Sequence, residues 1–224
     1  MKKLSNKGKY FLEILVLTAA LIIACLFWNS PFIFPIKLFV VLLHEASHAI
    51  MTFLTGGSVT GIDVNFQIGG SCVSKGGNSA LIACSGYLGS IVLGGILFYS
   101  STDQKMNRIV FNIFAVLFVI LLAFVKGNFS IFFVLFIVLF LIASPRLLPS
   151  NAQLIVTSVL GSLSLLYAVI DMQQDLFQEG YHQTDAEIMS SSTGLPALFW
   201  SILWLVIAFG LLYFLLKKKF KIKW

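Results

Sequence analysis

The chain has 224 residues, 58 % hydrophobic and 11 % charged, with a mean hydropathy of +0.96. A water-soluble chain of this size cannot enclose so much apolar surface, and a disordered one would be apolar-poor and charge-rich. The composition therefore predicts a polytopic membrane protein. The net charge of +6 is not a nucleic-acid signature, because its lysines cluster beside apolar segments. Lys2, Lys3, Lys7 and Lys9 lie at one end, and Lys217, Lys218, Lys219, Lys221 and Lys223 at the other. Such clusters read as anchors facing anionic lipid. Cys25, Cys72 and Cys84 form no metal or redox motif, and an odd count argues against a disulfide framework.

A spanning helix needs about 20 apolar residues, and candidate spans fall at 11–28, 36–54, 79–99, 109–125, 130–144, 152–170 and 197–216. In the first, Ile22-Ile23-Ala24-Cys25 superficially resembles a lipoprotein cleavage site. Glu13 interrupts the apolar run, however, and Leu26-Phe27-Trp28 continues it past the cysteine, so an uncleaved span is expected. After the second span, residues 55–78 are rich in glycine, and the alternation of Val59 to Phe66 reads as a strand of a hairpin. In the third, Gly86, Ser90 and Gly94 form a small-xxx-small stripe, expected to pack against the second span. The spans at 109–125 and 130–144 are short and joined by Lys126-Gly127-Asn128, so one of them is a candidate re-entrant or interfacial segment. Residues 171–195 read as an acidic loop, with Asp171, Asp175, Glu179, Asp185 and Glu187 and no Lys or Arg. Lysines at both ends ask for an even number of spans, whereas seven candidates are present, which leaves orientation open. The expected fold is one all-α multi-pass domain over 1–224, with about 6–7 transmembrane helices and a small glycine-rich β-hairpin.

The second span contains His44-Glu45-Ala46-Ser47-His48, an H-E-x-x-H pattern. Positions i and i+4 share a helix face, so both imidazoles can bind one Zn²⁺, and the intervening glutamate can serve as general base. On a helical wheel His44, Glu45, Ser47, His48, Thr52 and Thr55 fall in one arc. Leu42, Leu43, Ala46, Ala49, Ile50, Phe53 and Leu54 cover the other side, toward lipid or packed helices. Three ionisable residues at membrane depth each cost several kcal/mol without a partner or function. A catalytic zinc takes three protein ligands, so a third must come from elsewhere. Asp171 is the first candidate, because it ends the apolar run Leu165 to Ile170 and so lies at membrane depth. Asp175, one turn later, suits an outer partner orienting a histidine. Asp185 would need its loop to fold back, and His182 lies in polar surroundings that suit a solvated side chain.

The order of these segments resembles the site-2 protease type of intramembrane zinc metallopeptidase. That family has H-E-x-x-H in a transmembrane helix, then a glycine-rich hairpin, then a helix of small residues, here Ser85-Gly86-Tyr87-Leu88-Gly89-Ser90. The resemblance is greatest to its compact peptidase M50B-like branch. It extends to Asp171-Met172-Gln173-Gln174-Asp175, to Thr184-Asp185-Ala186, and to Gly194-Leu195-Pro196 before a helix with Trp200 and Trp204. It covers about residues 36–205. The resemblance implies a zinc-dependent endopeptidase of the cell membrane, with His44 and His48 as ligands and Glu45 catalytic. Its substrate would be a membrane protein or peptide segment lying in or near the lipid bilayer. The Asn-Pro-x-x-x-Asp-Gly-like motif that supplies the third ligand in other members is missing. The Thr184-Asp185-Ala186 match keeps Asp185 as the alternative to Asp171. Two rival functions are a catalytically silent zinc-binding member and a membrane transporter, the latter weakened by the few charges in the other spans.

Overall fold

The computed structural model describes residues 6–27, 30–65, 69–177 and 184–220; the side chains of 6–10, 12, 13, 25 and 167–177 are outside that description. All seven apolar segments are helical. In chain order they are α1 (Asn6–Leu26), α2 (Phe34–Leu54), α3 (Ser79–Ser100), α4 (Gln104–Leu121), α5 (Asn128–Leu147), α6 (Ser150–Phe177) and, after a further helix α7 (Asp185–Thr193), α8 (Ala197–Phe220). Among the described residues five stretches are long and apolar enough to cross a membrane: α2, α3, α4 extended to Phe124, α5 and α8. Within α1 and α6 the described apolar stretches are shorter, Ile14–Ala24 and Ser150–Leu166.

The helices at 109–125 and 130–144 are longer than their apolar runs and both reach a length able to span, because they recruit polar residues outside those runs. The Asp103 carboxylate caps α4 by accepting from Met106 N at 2.9 Å, and α5 runs on through Pro145 and Arg146. The acidic stretch is not all loop. Thr184 accepts from Glu187 N at 3.2 Å while Glu187 accepts from Thr184 N at 2.8 Å. This reciprocal capping box starts α7, and Gly194 at φ +75° ends it.

The expected hairpin is β1 (Ser58–Asn65) and β2 (Gly69–Lys75), antiparallel with Ser58 opposite Lys75 and Val64 opposite Gly70. The outer edge of β1 is pinned to the α4–α5 connection. Lys126 N donates to Ile62 O at 2.8 Å, Val64 N donates to Ser130 Oγ at 3.1 Å, and Ser130 donates to Asp63 at 2.5 Å. Among the described residues β2 pairs with no strand other than β1.

The core falls into two clusters. One joins α2 and β1 to α4 and α5 through Leu42, Leu43, Ile62, Phe118 and Leu141; the other joins α3, α6, α7 and α8 through Tyr87, Ile91, Leu165, Met189 and Trp204. The helix α2 is buried on every face from Leu38 to Ala49, so Leu42, Leu43, Ala46 and Ala49 of its apolar arc meet packed elements, while Phe53 and Leu54 at its end are exposed. Glycines set the helix spacing: a Cβ on Gly94 would stand 2.7 Å from Ser164 Cβ and 3.1 Å from Gly161 O, which locks α3 against α6. The small-residue stripe therefore divides, Gly86 serving α2 and Gly94 serving α6. At the far end of α3, Asn107 donates to Thr157 at 2.9 Å and Lys219 to Ser101 at 2.7 Å, interhelical polar contacts of the kind that join helices in apolar surroundings.

Candidate metal centre

The H-E-x-x-H residues sit in the middle of α2 where it meets α3. His44, Glu45 and His48 are 9 %, 6 % and 8 % exposed. The i, i+4 spacing brings His44 Nε2 to 2.9 Å from His48 Nε2. His48 Nδ1 stands 2.7 Å from the carbonyl of Ile82 on α3. A carbonyl only accepts, so Nδ1 carries the proton and the lone pair of Nε2 faces His44. The α3 backbone reaches the rings only because residue 86 has no side chain. A Cβ there would lie 2.5 Å from His48 Nε2 and 2.6 Å from His44 Cε1. Gly89, one turn on, makes room in the same way for Ser47.

The third group is Asp185, the first residue of α7. Its Oδ2 lies 3.2 Å from His44 Nε2 and 3.3 Å from His48 Nε2. Among the described residues, His44, His48 and Asp185 are the group that can hold a metal ion. Asp171 and Asp175 belong to the α6 helix, but their side chains, like all of His182, lie outside the described residues. Burial alone would push the Asp185 carboxyl up; the His48 and His44 imidazoles beside it hold it down at about 2. It is an anion facing two imidazoles.

These donors fit a divalent metal. Three ligands of a tetrahedral zinc, each at about 2.0–2.2 Å, stand about 3.3 Å apart, close to the separations of 2.9, 3.2 and 3.3 Å observed. With Nδ1 of His48 committed to Ile82, two lone-pair donors, His48 Nε2 and Asp185 Oδ2, converge on one point beside His44. Protons could bridge them, but a metal would replace those protons and satisfy all three donors at once.

Glu45 is turned toward the hairpin. A Cβ on Gly70 of β2 would stand 2.6 Å from Glu45 Oε1 and 2.5 Å from Val41 Cγ1. The strand thus lies directly on the glutamate. Cys72, two residues along β2, points to the same side; burial, with Glu45 adding to it, pushes its thiol up to about 12. The histidines and glutamate were legible as a motif. The roles of Gly86, the Ile82 carbonyl and the Tyr87 ring, 4.8 Å from His44, were not, although Gly86 and Tyr87 lie in the small-residue stretch already marked. The signal missed for Asp185 was the Thr184–Glu187 capping box, a helix start placed immediately at the carboxylate.

A family model described as Peptidase M50B-like matches residues 17–215. No curated protein and no solved structure matches the chain.

Proposed function

The chain belongs to the peptidase M50B-like family, and on that premise we propose that it is a zinc-dependent endopeptidase, a multi-pass protein of the cell membrane that hydrolyses a peptide bond in or near a membrane segment. The observation that carries this reading is the convergence of His44 Nε2, His48 Nε2 and Asp185 Oδ2 on one point, with all pairs within 3.3 Å. His44 and His48 hold the zinc, and Asp185 takes the third place, in preference to Asp171. Bound zinc supplies a Lewis acid that polarises the scissile carbonyl and eases deprotonation of water.

The other steps fall to the chain's own groups. Glu45, adjacent to His44 but not one of the three converging donors, takes the proton of the attacking water and returns it to the leaving amine. The Ile82 carbonyl, bound to Nδ1, fixes the tautomer and ring plane of His48. The buried setting excludes bulk water from Glu45 and strengthens each charge interaction. The β2 strand favours an extended substrate. Its outer edge has no strand partner among the described residues, and it passes Glu45 at Gly70, so a peptide added there by edge pairing would present its carbonyl near the glutamate.

The test is metal analysis of the detergent-purified chain together with cleavage of a model transmembrane substrate. Zinc with cleavage that depends on Glu45 supports the reading. Zinc without any cleavage would replace it with the silent zinc-binding member.

A further inference from the structure

The carboxylate at the metal centre arrives on a helix that could not hold itself there. With only 9 residues, α7 is far below the length at which a helix is stable alone. It is held by α8. The chain reverses at Gly194, and Trp200 Nε1 donates to Thr193 Oγ1 at 3.1 Å, tying the first turn of α8 to the last residue of α7. One turn further on, Trp204 is fully buried, its ring 4.9 Å from that of Tyr87. Tyr87 in turn meets His44 edge to face, at 4.8 Å and 77°. Ala186 and Met189 of α7 are buried in the same cluster as Tyr87 and Trp204.

One aromatic column therefore touches both halves of the metal site: it packs on the ring of His44 and forms the surface on which the Asp185 helix rests. We propose that Tyr87 and Trp204 are positioning residues that register Asp185 against His44, so that metal affinity is set by how α8 packs. The proposal rests on the zinc reading above, because it assigns these rings a role only through the three ligands. The physical basis is rigidity. Tyr87 meets His44 edge to face and Trp204 at a tilt of 32°, and large rings packed this closely have few alternative arrangements, whereas a leucine in the same space leaves the His44 ring and the α7 backbone free to drift apart.

The test uses the full chain in detergent. Metal affinity is measured by chelator competition with zinc, and the ligand field by absorption of the cobalt-substituted protein. Tyr87→Leu and Trp204→Leu should weaken zinc binding about 10–100-fold, as loss of outer-sphere support does, with Tyr87→Phe within about threefold of wild type. Their cobalt spectra should shift from that of the wild type, as a displaced third ligand requires. Trp200→Phe, which removes the N–H to Thr193 together with part of the ring, should give a smaller shift in the same direction, and with Trp204→Phe it reads the same relation if a leucine variant fails to fold. Unchanged affinity and spectrum in the Leu variants, with metal lost in Asp185→Ala, would overturn this inference alone. A wild type that binds no zinc or cobalt would overturn the zinc reading and this inference with it.

Discussion

A Cβ on Gly86 would stand 2.5 Å from Nε2 of His48, the nitrogen that faces His44 and Asp185. The glycine on α3 and the histidine on α2 thus share a space that no larger residue at position 86 can enter, and the candidate metal centre is built on that approach.

Gly86→Ala should accordingly displace both imidazoles. Overpacking at such a contact costs about 1–3 kcal/mol, and here the strained atoms are the ligands themselves, so bound zinc should fall sharply. Gly94→Ala is the control: its methyl meets Ser164 of α6, so it should lower the thermal midpoint and leave zinc content near wild type. Equal zinc in the two variants would contradict the assignment of Gly86.

Where α2 meets the hairpin, the same argument separates catalysis from metal binding. A methyl at Gly70 falls 2.6 Å from Glu45 Oε1 and on no ligand. Gly70→Ala and Glu45→Gln should both retain zinc and lose cleavage, the latter by about 10²–10⁴-fold, the usual worth of a general acid–base group. Wild-type cleavage by Glu45→Gln would remove Glu45 from the mechanism.

Cys72 gives a measurement that needs no substrate. A thiol with its pKa near 12 stays protonated at pH 8, and the thiolate is the nucleophile. With Cys25 and Cys84 replaced by serine, Cys72 in the folded chain should resist iodoacetamide at pH 8 and react only after denaturation. Fast labelling of the folded protein would mean that β2 does not cover Glu45 as described.

Membrane integration is expected from the five helices, among the described residues, that are long and apolar enough to cross. Alkaline carbonate should leave the protein in the membrane pellet and detergent should extract it. Release by carbonate would contradict the multi-pass reading.

The helices and hairpin were readable because their signals are local. Apolar runs, the Val59–Phe66 alternation and the glycines of 55–78 each act within a few residues. The ends of α4 and α5 were not, since the Asp103 cap and the Pro145-Arg146 pair lie beyond the apolar runs at 109–125 and 130–144. His44, Glu45 and His48 were legible because helix geometry alone places them together. The fold-back of α7 was not, because it depends on Trp204, Tyr87 and Met189 meeting across segments distant in sequence. Membrane depth favoured Asp171 as the third ligand with Asp185 as the alternative; the Asp171 side chain lies outside the described residues, and the group brought together among the described ones is His44, His48 and Asp185.

The central claim is that His44, His48 and Asp185 together hold one zinc, and the most direct measurement is the zinc content of purified full-length variants. The wild type and Asp171→Ala should each carry about one zinc per chain, and His44→Ala, His48→Ala and Asp185→Ala should carry almost none after dialysis, as a three-ligand site requires. Full zinc in Asp185→Ala with loss in Asp171→Ala would contradict the account.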